Sequence, residues 1–375
     1  MRIQRQNTAP LATGFATGGS PSPEIAATAV RQALARAKSP LARSVLLFLT
    51  PHFARQAQAA VTAVSRAAHC LQVTGCTAPG VFTEDGWSLD TPAAAALVLC
   101  GDTVLGFHRS PSTPDTDSPA PLLTLATPES FGETWFARVR PRFGLLSTGN
   151  DSERPGHVWT GAKLTNRCEA GFDGAGVAVG VSRGLRFVSP PLEVTDTDGH
   201  ELFELAGQPA LDTLLRGLPP ELRDDPPLSH LFAGLPEPGV DAEQAIARGR
   251  YGLVPILGAS NDEQSLTLAA PLSPGDTLFW AMRQPAAAGE DTAALLDALS
   301  AGQPAPDFAL MFACIGRGPY FFGGEDLDLA QVLARFPGLP VLGAYGVGEI
   351  APLPGGSAII SYGAVIALVG SHVQS

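Results

Sequence analysis

The sequence predicts a mixed α/β protein made of two related strand–helix–strand halves with additional antiparallel strands. Three observations indicate this class. A short apolar run, a helical apolar stripe and a second short strand occur in the same order near each end of the chain. In both places a glycine-rich turn follows the second strand. Apolar residues make up 45% of the chain and charged residues 16%, which supplies a core and argues against a disordered chain.

The C-terminal half shows the pattern most clearly. Phe308–Cys314 is an apolar run too short for a globular helix and of the right length for a buried strand. Apolar residues at helical spacing follow between 329 and 336. A second strand at 340–342 runs into the turn 343–350, and an apolar run at 364–369 closes the unit. Glycine, arginine, tyrosine and glutamate follow the strand ends, where an α/β unit presents its ligand contacts.

The N-terminal half repeats this order. Its strand, helix, strand, turn and closing strand are predicted at 44–50, 53–68, 71–74, 75–82 and 95–100. Gly75 aligns with Gly343, and Gly80 aligns with Gly348, which indicates a diverged internal duplication. The two halves either face each other across one cleft or lie in separate sheets, since periodicity is compatible with both.

The remaining segments carry weaker signals. Ser22 is a predicted N-cap, with Pro23 at the first position of a helix that ends at Lys38. The glycine-rich run 174–180 is interpreted as a strand, because its glycine spacing does not match a nucleotide-binding loop. The other predictions are a solvated loop at 109–121, an antiparallel meander at 122–200, a strand–turn–strand at 194–205, and a proline-rich long loop or short helical insert at 218–240.

Composition restricts the function classes. The formal net charge is −12, only two lysines are present and no basic cluster occurs, so neither nucleic acid nor an anionic membrane is an expected partner. The five cysteines are an odd number without zinc-type spacing, which favours free thiols in a reducing compartment and no metal site. No secretory signal and no apolar run of about 20 residues occurs, so the protein is predicted to be cytoplasmic.

These motifs resemble the FIST sensory domains. The stretch from Phe308 to Leu368, with Cys314–Gly318 and Gly343–Ile350, is similar to the C-terminal half of that family. Gly75-Cys76-Thr77 is similar to the N-terminal half, where the family usually has Gly-Cys-Ser/Thr followed by Gly-Glu. Here Val81 replaces that glutamate, so the N-terminal turn lacks the carboxylate that Glu349 supplies in the other half.

The resemblance implies a domain organisation and a function. It places a FIST N-terminal domain at 1–193 and a FIST C-terminal domain at 194–375. It implies a sensory, signal-transduction protein that binds a small ligand, which for this family is often suggested to be an amino acid. The sequence shows no kinase, cyclase or DNA-binding output module, so the protein is expected to act through a separate signalling partner of the kinase or cyclase type.

The ligand site is predicted at the ends of the C-terminal strands. The guanidinium of Arg317 can hold a carboxylate in a bidentate manner, while Tyr345 and Glu349 suit an ammonium group, so together they would hold both ends of an amino acid. As alternatives, Arg317 lies on the surface or pairs with Glu325 or Asp326, Tyr345 packs, and Glu349 makes a local hydrogen bond. The predicted ligand-binding set is Cys76, Thr77, Cys314, Arg317, Gly318, Tyr345, Gly346, Gly348 and Glu349.

Two other functions stay open. In the first, Cys314 or Cys76 acts as the nucleophile of an enzyme. Cys76 is predicted to occupy the position in the N-terminal half that mirrors Cys314. Burial of both as small side chains at strand ends is the simpler interpretation, because free cysteine is commonly buried. In the second, which follows one branch of the FIST family, a single axial histidine holds haem in a gas sensor. Otherwise no cofactor is predicted.

Overall fold

A computed structural model describes residues 10–107, 120–131, 135, 140–148, 155–301 and 303–371. By its internal contacts the chain divides into two compact units. Unit 1 comprises Met1–Ser182 and Thr292–Ser375, and unit 2 is the inserted segment Arg183–Asp291. Most of the loop predicted at 109–121 lies outside the described residues. The predicted boundary of sequence domains at 193/194 stays a prediction, because the contacts group the chain in a different way.

Strands and helices are numbered along the whole chain. The helices of unit 1 are α1 (Pro23–Ala37), α2 (Ala57–Ala68) and α6 (Leu327–Arg335). Its strands are β1 (Leu11–Thr17), β2 (Ser44–Leu49), β3 (Val73–Thr77), β4 (Gly80–Thr83), β5 (Gly86–Ser88), β6 (Ala93–Leu99), β7 (Val104–Phe107), β8 (Leu122–Ala126), β9 (Arg142–Leu146), β10 (Val158–Thr160), β11 (Lys163–Thr165), β12 (Arg167–Asp173), β13 (Gly176–Ser182), β22 (Phe308–Cys314), β23 (Val341–Gly346), β24 (Glu349–Leu353), β25 (Gly356–Ile360) and β26 (Ala364–Gly370).

Unit 2 contains helices α3 (Ala210–Gly217) and α4 (Ala242–Arg248), and helix α5 (Pro285–Ser300) runs from unit 2 into unit 1. The strands of unit 2 are β14 (Leu185–Phe187), β15 (Leu192–Asp198), β16 (Glu201–Leu205), β17 (Gln208–Pro209), β18 (Leu231–Pro236), β19 (Tyr251–Ser260), β20 (Ser265–Leu268) and β21 (Thr277–Arg283).

The predicted duplication is visible in two sheets of unit 1. Sheet I has the strand order β1-β6-β2-β3-β10-β11, and sheet II has the order β13-β26-β22-β23-β4-β5. In both, the two central strands pair in parallel, with Leu47 opposite Gly75 and Met311 opposite Gly343. The predicted alignment of the two glycines is therefore confirmed, and the parallel strand pairs of the two halves lie in separate sheets, although β4 and β5 of the first half join sheet II. We call 10–99 the first repeat, and 176–182 with 292–370 the second repeat.

A third sheet completes the core of unit 1. Sheet III has the order β25-β24-β9-β8-β12-β7. Each sheet contributes a phenylalanine to one shared core: the ring centroid of Phe312 in sheet II lies 5.8 Å from that of Phe48 in sheet I and 6.4 Å from that of Phe143 in sheet III. Helices α1 and α2 cover the other face of sheet I, while α5 and α6 cover that of sheet II.

The helices begin where the sequence supplies caps. The hydroxyl of Ser22 accepts a hydrogen bond from the amide of Glu24 at 3.3 Å, and Pro23 occupies the first position of α1, as predicted. In α6, the carboxylate of Asp326 accepts from the amide of Leu329 at 2.9 Å. This second cap places a carboxylate beside the end of β23, where the ligand site is predicted.

Two predictions about the middle of the chain are wrong in part. Strands β8 and β9 pair in parallel, and β13 joins sheet II beside β26, so 122–200 is not one antiparallel meander. The predicted loop or helical insert at 218–240 contains β18 as well as short 3₁₀ turns. Short apolar runs do not reveal the direction of their partners, and flanking prolines hid the strand at 231–236.

Unit 2 is a small antiparallel barrel. Its strands follow the order β21-β15-β16-β20-β19-β18, and β18 closes the ring by pairing with β21. Apolar side chains fill the interior, with Trp280 fully buried and its indole Nε1 donating to the hydroxyl of Thr213 at 3.1 Å. Within the described part of the whole chain, no helix combines the length and apolarity that crossing a membrane requires.

Candidate functional site

The candidate site lies at the carboxyl ends of β22 and β23. These strands pair in parallel and end at the same edge, with Cys314 directly opposite Gly346. The 3₁₀ turn Ile315–Arg317 follows β22, and β24 begins at Glu349, shortly after β23. The structure thus brings the C-terminal members of the predicted set to one strand end. Cys76 and Thr77 lie instead on β3 in sheet I.

Arg317 is buried and forms an ion pair inside unit 1. Its Nε donates to Oδ2 of Asp328 at 2.8 Å, and its Nη2 donates to Oδ1 at 3.1 Å. The side chains of the pair are 2% and 0% exposed, respectively. Asp328 is therefore the partner of Arg317, whereas sequence reasoning named Glu325 or Asp326.

The remaining donors of Arg317 also bind protein groups. Nη2 donates to the hydroxyls of Ser182 at 2.7 Å and Thr292 at 2.9 Å, and Nη1 donates to the carbonyl of Ser182 at 3.1 Å. We call Arg317, Asp328, Ser182 and Thr292 the Arg317 network. Because a buried guanidinium with these partners has little capacity left for a ligand, this geometry does not favour the predicted contact between Arg317 and a ligand carboxylate.

Tyr345 and Asp326 form a second buried pair. The phenol of Tyr345 donates to the carboxylate of Asp326, and its ring lies 4.7 Å from that of Phe82. Burial is the main cause that raises the pKa of Asp326 to about 6; the nearby charge of Asp328 adds to this, and the hydrogen bonds from Leu329 and Tyr345 oppose it. A carboxyl group that titrates close to neutral pH is typical of functional sites.

Asp326 and Asp328 differ in whether a positively charged side chain balances the carboxylate charge. The charge of Asp328 is balanced by Arg317, while Asp326 has hydrogen bonds but no ion pair with any residue that the structure describes. Sequence reasoning treated Asp326 only as a partner for Arg317. Its position just before an apolar helical stripe is an N-cap signal and could have placed it beside the strand end.

A row of aromatic rings continues from Tyr345 to the surface. Phe82 on β4 pairs across the strands with Trp87 on β5, so the two side chains share one face. The Trp87 ring contacts that of exposed Tyr320 edge-on at 6.3 Å between centroids. The phenol of Tyr320 donates to the carboxylate of Asp90. A tyrosine–aspartate pair therefore stands at each end of the row, and no sequence motif indicated the outer pair.

The glycines and Glu349 are held by close packing. Glu349 is fully buried, and its backbone pairs with Leu145 and Ile360. A Cβ placed on Gly346 would overlap the side chain of Leu145 and come within 3.2 Å of Oε1 of Glu349. A Cβ on Gly348 would come within 3.1 Å of surrounding side chains, and one on Gly318 would lie 3.4 Å from the ring of Tyr345. Packing alone thus explains Gly346 and Gly348.

Cys76 and Thr77 lie in the interior of unit 1. Cys76 is fully buried, and burial, with Cys168 nearby, raises the pKa of its thiol, which disfavours the thiolate that a nucleophile needs. The Thr77 hydroxyl accepts from the amide of His157 at 2.9 Å and lies 3.1 Å from the hydroxyl of Ser147. Protein groups therefore surround both residues.

Cys76 and Cys314 do not occupy mirror positions, so that prediction is wrong. The parallel registers make Leu49 equivalent to Ala313 and Thr77 equivalent to Tyr345. Cys76 therefore corresponds to Ala344, because each immediately precedes the equivalent residue on its strand. Cys314 lies on the other central strand and is 4% exposed. Similar glycine–cysteine surroundings in the two halves suggested a symmetry that the registers do not support.

No group of three or more His, Cys, Asp or Glu side chains suited to a metal ion occurs among the residues that the structure describes. The candidate site therefore consists of the Asp326–Tyr345 pair, the aromatic row, Gly318 and the buried Cys314 and Glu349. The carboxylates of Asp326 and Asp90 and the four aromatic rings between them suit a cationic group, because carboxylates attract it by charge and ring faces by their quadrupoles.

Comparison with known proteins agrees with the motifs. The sequence matches the FIST N domain over residues 43–208 and the FIST C domain over residues 210–352. An uncharacterized protein of Mycobacterium tuberculosis is 29% identical over 195 residues, and an uncharacterized protein of Mycobacterium bovis is 32% identical over 195 residues. Each match covers 50% of this chain and 49% of the relative, so the chain spans about half the length of the curated relatives it matches. The chain belongs to the FIST family, whose domains are recognised as small-ligand-binding sensory domains.

Proposed function

We propose that this protein senses a small ligand that carries an ammonium group, such as an amino acid or another small zwitterion, and signals through a separate protein partner of the kinase or cyclase type. The observation that supports this proposal is Asp326, a buried carboxylate at a strand end that lacks an ion pair among the described residues. A cation at that place would supply the missing charge compensation.

The ligand contacts follow from the site. The ammonium binds between Asp326 and the ring of Tyr345, and Phe82 and Trp87 extend the aromatic surface for the rest of the ligand. Arg317 takes no part in this binding mode, since its charge is balanced by Asp328. The ligand carboxylate, where present, points away from Asp326. This arrangement favours amines and amino acids over simple organic acids.

A thermal-shift screen tests the proposal. The purified protein is titrated with amino acids, with small amines, with organic acids and with haem. We expect stabilisation by ammonium-bearing compounds, of about 2.7 kcal/mol at a hundredfold excess over Kd. Asp326→Asn keeps a cap for α6 and removes the charge, so the shift should disappear. A shift with organic acids or haem alone would contradict the proposed ligand class.

A matched variant controls for the loss of a capping charge. Asp241 caps α4 in unit 2 and accepts from the amide of Gln244 at 3.0 Å. Asp241→Asn makes the same chemical change away from the candidate site and should leave the ligand-induced shift intact. If Asp326→Asn also retains the full shift, Asp326 does not bind the ligand and the proposed site is wrong.

A further inference from the structure

The Arg317 network lies where the chain passes between the two units. The first segment of unit 1 ends at Ser182, and its second segment begins at Thr292. Nη2 of Arg317 binds the hydroxyls of both residues, and these hydroxyls lie 3.2 Å from each other. A single guanidinium on the turn after β22 thus holds both points at which unit 1 connects to the insertion.

Contacts within unit 2 hold its own two ends in place. The amide of Gly184 donates to Oδ2 of Asp291 at 2.8 Å, so the first and last residues of the insertion are held together. Arg183 places its guanidinium over the ring of Tyr251 at 4.4 Å and donates to the carbonyl of Tyr251 at 3.2 Å. These contacts lie within unit 2, so each unit has its own bonds at the connection.

The first repeat has an apolar residue at the position that corresponds to Arg317, and it has no insertion there. There only a short loop joins β1 to α1, between Thr17 and Pro23. The strand registers make Ala16 equivalent to Ser182, and the same offset along the chain makes Phe53, in the turn after β2, correspond to Arg317, in the turn after β22. Phe53 is fully buried in the apolar cluster beneath α1 and α2. Buried polar groups therefore replace apolar packing in the repeat that carries unit 2.

We propose that Arg317 is a positioning residue that couples the strand end bearing Cys314 and Gly318 to both connections of unit 2. Any change in the turn after β22 moves the guanidinium and weakens its bonds to Ser182 and Thr292. The connecting segments then open more often, while the rest of unit 1 keeps its structure. This device would carry a signal from the strand end into unit 2, and it does not depend on which ligand binds there.

Hydrogen–deuterium exchange of the full chain tests the coupling. Arg317→Lys keeps the charge but cannot reproduce the planar set of donors that binds Asp328, Ser182 and Thr292 together. We expect amides in 183–188 and 285–291 to exchange about tenfold faster, with β2 as an internal reference that changes little. Thr292→Val removes one hydroxyl at nearly constant volume, so it should give a smaller increase in the same segments and serves if Arg317→Lys folds poorly.

A second buried ion pair provides the matched control. Arg142 donates to Glu169 at 3.4 Å, with side chains 1% and 9% exposed, and neither residue belongs to the Arg317 network. Arg142→Lys should lower global stability without selective opening at the two connections. The proposal is overturned if Arg317→Lys leaves 183–188 and 285–291 as protected as in the parent, or if exchange rises uniformly as in Arg142→Lys. Because no ligand is added, this result is independent of the proposed ligand.

Discussion

The two repeats of unit 1 share a backbone arrangement and differ in what they bury. At three pairs of corresponding positions, the first repeat has an apolar side chain and the second has a polar one. Ala16 and Ser182 correspond by the strand registers, and Phe53 and Arg317 correspond by the same offset in the turns that follow β2 and β22. Val81 and Glu349 correspond in the sequence, because each follows one of the aligned glycines. Arg317 and Glu349 are as deeply buried as Phe53 and Val81. Buried polar groups cost free energy unless they are paired. For stability alone, the buried residues of the second repeat are therefore less favourable than those of the first.

The two repeats use the same backbone arrangement in different ways. In the first repeat, α1 and α2 pack on sheet I through apolar contacts that hold the repeat together. In the second repeat, polar groups meet at the strand end, where the candidate ligand site and the connections to unit 2 also lie. Duplication thus provides one copy whose core is apolar and another whose interior carries charge. Stability measurements on equivalent positions can test this interpretation.

The largest expected effect comes from breaking the ion pair of the second repeat. Arg317→Met leaves Asp328 buried without its counter-charge and should lower the free energy of unfolding by about 3–5 kcal/mol. Urea denaturation followed by tryptophan fluorescence measures this change. The double substitution Arg317→Met/Asp328→Leu converts the site to the apolar type found at Phe53 and should recover most of the loss.

The double variant decides whether the charges stabilise the repeat. Ser182 and Thr292 can still hydrogen-bond to each other there, since their hydroxyls are 3.2 Å apart. If the double variant is as unstable as Arg317→Met, the remaining polar groups need the guanidinium. The apolar arrangement of the first repeat could then not replace the network of the second.

The sequence predicted the repeats because their signals are local. Short apolar runs, a helical stripe and the spacing of Gly75 and Gly343 follow from backbone geometry within about 40 residues, and the structure places both glycines at the same register. The replacement of the Glu349 carboxylate by Val81 was also visible, since both follow an aligned glycine. These features depend on neighbours along the chain.

The polar contacts of the second repeat were not predictable in the same way. Arg317 has three carboxylates shortly after it in sequence, and the rotation of α6 decides that Asp328 turns towards it while Asp326 caps the helix. Ser182 lies 135 residues away from Arg317 in sequence and meets it only through sheet II and the packed α5. Periodicity carries no information about such contacts. The sequence therefore predicted which residues follow the strand ends, while the partners of these residues were not predictable.

The second largest effect concerns the equivalent glycines. A methyl group at Gly75 would overlap the carbonyl oxygen of Leu47, whereas at Gly343 it would overlap the ring of Phe82 and approach the carbonyl of Met311 to 2.7 Å. Gly75→Ala and Gly343→Ala should each lower the free energy of unfolding by about 2–3 kcal/mol, which chemical denaturation measures. Phe82→Leu should recover about 1 kcal/mol of the Gly343→Ala loss by giving room, with Phe82→Leu alone as control.

The added methyl group meets a different obstacle at each of the two glycines. No side-chain reduction can relieve Gly75→Ala in the same way, because a backbone oxygen of the neighbouring strand blocks the methyl group. Phe82 belongs to the first repeat but pairs with β23 of sheet II, so rescue would show that a side chain of one repeat sets the space in the other. Lack of any recovery in Gly343→Ala/Phe82→Leu would assign the strain to Met311 instead.

The smallest effect is the pH dependence that Asp326 should give the second repeat. Burial raises the pKa of Asp326 from 3.8 to about 6, so the folded protein binds the proton more tightly than the unfolded chain. This contribution to stability is fully present below about pH 4 and is lost as the pH rises through about 6.

Asp326→Asn does not titrate, and its amide can still cap α6 and face the phenol oxygen of Tyr345. Relative to this variant, the parent should lose about 2 kcal/mol of unfolding free energy between pH 4 and pH 7.5. Thermal and urea unfolding across that range would measure the difference, in which the other carboxylates cancel. A constant difference between the two proteins would mean that Asp326 keeps an ordinary pKa, and an opposite slope would mean that hydrogen bonds from Tyr345 and Leu329 outweigh its burial. Either result would remove the feature that most distinguishes the strand end of the second repeat as a place for a cation.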